Sequence, residues 1–184
     1  MIKIHNSINL SNTLDIPEDN KLYISGYAMH FNEVNHNGEL VLPGAFDDFF
    51  KELKESKIMP LFDAFHKQDY LIGAWEEIKQ DEKGLLVEGF LDLNIAEVAN
   101  NVAPLVRNGA LSGLSTEMWI NYNDIDQKDD YYIVKKAMLT GISLVPIPAD
   151  FQARVVLKNS LEEQQEQKNE DPEPKSKNSL LFFI

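Results

Sequence analysis

The chain has 184 residues, of which 43% are hydrophobic, with a formal net charge of −13 and no cysteine. These values are typical of one packed domain, and the acidic balance disfavours nucleic-acid binding as its main function. Without cysteine there are no disulfides, thiolate nucleophiles or Cys-ligated zinc sites. With no signal peptide or membrane-spanning apolar run visible, we expect a soluble protein of a reducing compartment.

Apolar periodicity predicts more strands than helices. One helix is expected from Pro43 to about Lys57, because four apolar side chains recur on one face of a charged segment. A second is expected from Asn94, with a capping-box pattern to Glu97, as far as Gly109, and Pro104 should bend its last turn. Strands are expected around Ser115 and at residues 21–31, 58–62, 70–78, 85–93, 131–136 and 139–147.

This order of elements, joined mostly by short connections, favours a mainly β or α+β fold. An antiparallel sheet closed or curled into a barrel, with helices outside it, fits best. We expect the domain to span residues 1–157. Residues 158–184 are acidic, Gln-rich and punctuated by proline before an apolar end, and we expect a disordered acidic tail there.

Ser115 is the first candidate for chemistry. On a strand its side chain shares a face with Gly113 and Glu117, so the missing side chain of Gly113 predicts open backbone beside a hydroxyl. Such a gap would let a substrate chain approach. The alternative interpretation is a Ser-Gly pair that marks a bulge or a tight sheet crossing.

His66 is the second candidate, because it follows an apolar strand at the start of a loop and could act as a general base there. It could equally be an ordinary loop histidine. A metal site made of Asp63, His66 and Asp69 is a weaker alternative, since this spacing matches no tight ligand rule. The residues alone support only a Ser/His pair, with no Gly-x-Ser-x-Gly elbow and no phosphate or dinucleotide motif.

An ordered set of short motifs runs through about residues 22–156. In chain order they are Gly26-Tyr27-Ala28 with Phe31, Pro43-Gly44-Ala45-Phe46, Pro60-Leu61-Phe62 before His66, Ile72-Gly73, residues 84–89, residues 109–115, and Ile142-Ser143-Leu144-Val145 followed by Pro148-Ala149. No single motif is decisive, but as an ordered set they resemble those of the prohead maturation proteases of tailed bacteriophages.

The resemblance implies a serine endopeptidase with the assemblin-type fold of herpesviruses, a β-barrel with flanking helices. It also implies His66 as general base, Ser115 as nucleophile and no cofactor or metal. Relatives cut the scaffold or the scaffolding segment of the major capsid protein, and themselves. We therefore expect those proteins as partners, a homo-oligomer, no nucleic-acid or membrane partner, and action in the host cytoplasm inside the assembling prohead.

This chain departs from the family pattern at the acid that would orient the histidine. Many relatives read Glu-Val-Ser-Leu-Val where this chain has Gly141 before Ile-Ser-Leu-Val, and the segment after Ser115 also differs. Four acids remain open as the third catalytic residue: Asp69, Asp92, Glu117 and Asp150. The alternatives to an active peptidase are an inactive protease-fold assembly or binding module and, more weakly, a metal-dependent hydrolase.

Overall fold

Three small β-sheets surround one apolar core in the described part of the chain, residues 19–158 of a computed structural model. The strands are β1 (Lys21–His30), β2 (Glu39–Val41), β3 (Leu61–Ala64), β4 (Gly73–Gln80), β5 (Gly84–Asp92), β6 (Gly113–Trp119), β7 (Ile125–Gln127), β8 (Tyr132–Val134), β9 (Met138–Val145) and β10 (Val155–Leu157). The helices are α1 (Asp47–Ser56), a π-helical turn (Val98–Val102) that continues into α2 (Ala103–Arg107), and a 3₁₀ turn (Tyr122–Asp124).

The expected mainly β fold with few helices is confirmed, but the antiparallel barrel is wrong. The sheets have the strand orders β10-β1-β5-β4, β2-β8-β7 and β3-β9-β6, and none of them closes on itself. Two pairs, β2 with β8 and β3 with β9, run parallel. Parallel neighbours are joined through long stretches of chain, so the short connections between successive strands could not reveal them. Isolated bridges at Asp63–Leu71 and Gly113–Arg154 link the third sheet to the segments leading into β4 and β10.

Helix α1 confirms the expectation from apolar spacing. Phe46, which precedes it, and Phe49 within it are buried, and the ring of Phe46 lies against Phe31. Lys57, the first residue after the helix, adopts a left-handed conformation (φ 60°) and donates its backbone N–H to the carbonyl of Leu53. This ending directs the chain into β3, which leads to the candidate histidine.

The second helical segment differs from its predicted start. Asn94 makes no helix cap; its backbone and side-chain N–H groups both donate to Asp92 Oδ1 instead. Pro104 was expected to bend the last turn, but it lies in the first turn of α2, where a missing N–H is tolerated, just after a π-helical turn. Gly109 has φ 77°, as expected of a residue that ends a helix.

Strand β3 lies further along the chain than predicted, so Asp63 belongs to the strand instead of the loop. Strands β2, β7 and β10 were missed because three residues are too few to show a period.

The polar N-terminal segment before residue 19 and the tail predicted at residues 158–184 lie outside the described residues, apart from Lys158. No helix within residues 19–158 is long and apolar enough to cross a membrane.

Candidate active site

The three strands of the third sheet bring polar side chains into one row. Asp63 of β3 pairs in register with Ser143 of β9, and Ser143 pairs in turn with Ser115 of β6. Directly opposite residues of neighbouring strands point to the same face, with Cβ atoms about 4.5–5.5 Å apart. The sheet therefore places Ser115, Ser143 and Asp63 side by side on one face.

His66 reaches this row from the turn after β3. Phe65 and His66 both have left-handed backbones, with φ of 64° and 56°. Such conformations are strained for residues other than glycine and persist only where the surroundings hold them. Here the N–H of Phe65 donates to the carbonyl of Leu144 at 2.9 Å, and the N–H of Lys67 donates to that of Ala64. The turn carries the imidazole back over β9, where its side chain remains 45% exposed.

Glu117 provides the carboxylate beside His66. Its Oε1 lies 3.2 Å from Nδ1 of His66, and its Oε2 accepts from Nε2 of Gln68 at 3.3 Å. Glu117 is two residues beyond Ser115 on β6 and pairs in register with Gly141 of β9. A Cβ at Gly141 would lie only 3.2 Å from the carboxyl carbon of Glu117, so this carboxylate fills the space that a side chain at position 141 would occupy.

Ser143 joins the two acids of the site. Its hydroxyl lies 2.5 Å from Oδ1 of Asp63, 2.7 Å from Oε1 of Glu117 and 3.3 Å from Nδ1 of His66. Ser143 and Asp63 are completely buried. A buried hydroxyl that is bonded to two carboxyls cannot meet a substrate carbonyl, so Ser143 is a support of the site rather than a nucleophile.

Ser115 is half-buried, and its hydroxyl makes no hydrogen bond within residues 19–158. The imidazole of His66 thus bonds to Glu117 and Ser143, while Ser115 lies one strand further along the same face. Catalytic hydrogen bonds are often loose before substrate binds. The open backbone expected beside Ser115 is absent, because a Cβ at Gly113 would lie 2.6 Å from the carbonyl oxygen of Val145 and 2.7 Å from the ring of Pro148.

The pKa values of the two acids of the site are shifted in opposite directions. Burial pushes the pKa of Glu117 upward, but hydrogen bonds from Ser143, Gln68 and His66 outweigh it and lower the pKa overall. Burial raises the pKa of Asp63, and the negative charge of Glu117 adds to the rise. Glu117 is therefore the ionised partner of His66. Its bond to Nδ1 holds the proton on that nitrogen and leaves Nε2 free to accept one.

The other acids considered from the sequence lie elsewhere. Asp92 accepts from Asn94, Asp150 pairs with Nδ1 of the buried His30 at 2.7 Å, and Asp69 lies on an exposed turn. Within residues 19–158 no group of three or more His, Asp or Glu side chains could hold a metal ion. Sequence reasoning missed the roles of Ser143 and Gln68, and it considered Asp63 only as a metal ligand. The one signal in the sequence was Gly141, which has no side chain where many relatives have glutamate. The carboxylate beside His66 therefore had to come from another position.

The chain is similar in sequence and in fold to known viral proteases. The family model for caudovirus prohead serine proteases matches residues 10–168. The prohead protease of Enterobacteria phage HK97 is 28% identical over 144 residues, which cover 74% of this chain and 60% of that protein. The capsid assembly protease of bacteriophage T4 has a similar fold, with a TM-score of 0.56, 16% identity, and coverage of 70% of this chain and 84% of that one.

A second solved structure, the KSHV protease in complex with a hexapeptide phosphonate inhibitor, has a TM-score of 0.50 and 15% identity. The match covers 74% of this chain and 64% of that one. At these identities the two structures show the fold alone. The resemblance recognised from the sequence motifs is confirmed by the family match.

Proposed function

The chain belongs to the caudovirus prohead serine protease family, and we propose that it is a serine endopeptidase with Ser115 as nucleophile, His66 as general base and Glu117 as the residue that orients His66. The observation that carries this proposal is the contact of His66 Nδ1 with Glu117 on the face that also bears Ser115. A base held by an anion beside a hydroxyl is the arrangement that serine peptidases need.

The proposed reaction follows from the free nitrogen of His66. As Oγ of Ser115 attacks the scissile carbonyl, Nε2 of His66 accepts the proton of the Ser115 hydroxyl. The imidazolium that forms is stabilised by ionised Glu117. His66 then gives that proton to the leaving amine, which separates from the acylated Ser115. Water, activated by the same imidazole, releases the new carboxyl end and restores the serine.

The proposed substrates are proteins of the immature phage shell. The relatives with the matching family and fold are named a prohead protease and a capsid assembly protease. We expect this chain to cut the scaffold or the scaffolding segment of the major capsid protein, and to cut itself. The site of action would be the assembling prohead in the host cytoplasm, with the protein as a homo-oligomer.

Co-expression with the capsid protein of the same phage tests the substrate. We expect mass spectrometry to find a shortened capsid protein with a new N-terminus, and a shortened form of the protease itself. With the Ser115→Ala protein, both partners should keep their full masses. A full-length capsid protein beside the unaltered protease would instead support a non-cleaving assembly module.

The rate of cleavage should rise with pH, because only a neutral imidazole accepts the serine proton. We expect the increase between about pH 5 and pH 8, the range over which histidines change charge. Glu117 does not produce this increase, since its lowered pKa keeps it ionised throughout. The measurement is kcat/KM on a peptide substrate across this range. A rate that is flat between about pH 5 and pH 8 would contradict His66 as the base.

A further inference from the structure

One buried hydroxyl at the site has more short contacts than its single proton can serve. Ser143 Oγ lies 2.5 Å from an oxygen of Asp63 and 2.7 Å from an oxygen of Glu117. Both distances fit hydrogen bonds between a hydroxyl and a carboxyl group. A serine hydroxyl donates one hydrogen bond and accepts others, and an ionised carboxylate can only accept.

Two ionised carboxylates therefore cannot both be bonded to Ser143. In one of the two short contacts no proton would lie between the oxygens, so a charged carboxylate oxygen would face a lone pair of Ser143 Oγ inside the protein. That contact would be repulsive. The geometry requires that one carboxyl be protonated and donate to Ser143 Oγ. The Ser143 hydroxyl then donates its own hydrogen bond to the other, ionised carboxylate. The pair Asp63 and Glu117 thus holds one proton between them, as carboxyls that share a site do.

The surroundings identify Asp63 as the protonated member. It is completely buried, and its second oxygen, Oδ2, has no hydrogen-bond partner among the described residues. Glu117 receives hydrogen bonds from Gln68 and His66 in addition to that from Ser143. Each of these donors favours the ionised form of Glu117. The two pKa directions agree with this division, raised at Asp63 and lowered at Glu117.

We propose that Asp63 carries a proton in the folded protein and donates it to Ser143 Oγ, so that Ser143 in turn donates to Glu117 and holds that carboxylate against His66. Asp63 and Ser143 are then positioning residues that act through Glu117. The titratable groups that act on Asp63 are Glu117 and His66. This role rests on the proposed peptidase function, but the proton on Asp63 does not.

The protonation state can be measured without any activity. In protein labelled with ¹³C at the aspartate carboxyl carbons, NMR at pH 7 should show one resonance typical of a protonated acid, and this resonance should be missing from the Asp63→Asn protein. The exposed Asp69, replaced by Asn, serves as the control and should leave that resonance in place. A resonance of Asp63 typical of an ionised carboxylate would overturn the proposal.

Kinetics test the positioning role separately. The amide of Asp63→Asn can donate to Ser143 as the protonated acid does, so its kcat should stay within about tenfold of the unaltered value. Asp63→Leu removes the donor, and kcat should fall by about 10- to 100-fold with KM unchanged. Equal losses in the Asn and Leu proteins, or no loss in either, would overturn the role of Asp63 as a donor.

The Ser143→Ala protein is a second variant that removes the same link if Asp63→Leu does not fold. It should lose kcat by a similar factor with KM unchanged, and an unaltered kcat would contradict the proposal. The two proposals can fail separately. If NMR shows that Asp63 is protonated but the unaltered protein cuts no peptide, the peptidase function is overturned and the proton assignment stands.

Discussion

Replacing Ser115 or His66 by alanine should abolish peptide cleavage, with a loss in kcat/KM on the order of 10⁴-fold or more. The nucleophile and its base act as one unit, so the loss of either one removes the covalent route. Both side chains are partly exposed and contribute little to the core, so thermal unfolding should change little. The measurement is cleavage of a peptide taken from the capsid processing site, alongside circular dichroism.

Ser112→Ala is the matched control for Ser115. Ser112 is a half-buried serine just before β6, and its backbone carbonyl accepts from Val155, a bond that alanine preserves. This protein should cleave at the unaltered rate. Residual cleavage by the Ser115→Ala protein at more than a few per cent would assign the nucleophile to another residue.

The Glu117→Gln change should lower kcat by about 10²- to 10⁴-fold. A glutamine amide cannot stabilise the imidazolium that forms when His66 takes the serine proton. By donating to Nδ1 it would also hold the proton on the wrong nitrogen. The measurement is kcat and KM on the same peptide, and KM should change far less than kcat. A glutamine protein with an unaltered kcat would contradict the orienting role of Glu117.

The double change Glu117→Gly and Gly141→Glu exchanges the residues at these two positions. It should restore much of the activity that Glu117→Gly alone loses. Positions 117 and 141 are opposite each other on β6 and β9, and the carboxylate of Glu117 already fills the space above Gly141. A glutamate at position 141 can therefore reach His66 from the neighbouring strand. Gly141→Glu alone places two carboxylates in that space and should reduce activity and stability. If the exchanged protein is no more active than Glu117→Gly, the two positions are not equivalent.

The main elements near the site could be predicted because each has a strong local pattern. The apolar spacing of α1 and the presence of strands β1, β4 and β5 are confirmed. The pairing of β3 with β9 could not be predicted, since these strands are far apart in the chain and run parallel. Because that pairing places Asp63 next to Ser143, the hydrogen bond between these two residues could not be predicted from the sequence.

The third member of the site shows the same limit. Glu117 could be placed on the face of Ser115 from alternation alone, but its rank above Asp69, Asp92 and Asp150 depends on the backbone at His66. Two consecutive left-handed residues, Phe65 and His66, turn the imidazole back over the sheet. No local pattern predicts such a conformation in residues other than glycine. The empty position at Gly141 was visible, but not which acid fills it.

Covalent labelling of Ser115 tests the proposed catalytic site most directly. The protein is treated with a fluorophosphonate, which reacts with serines activated by a neighbouring base, and the adduct is located by mass spectrometry of its peptides. We expect one adduct, on Ser115, with its formation slowed strongly in the His66→Ala protein and absent in Ser115→Ala. An adduct on a different serine, or none on the unaltered protein at neutral pH, would contradict the assignment of Ser115 and His66 as nucleophile and base.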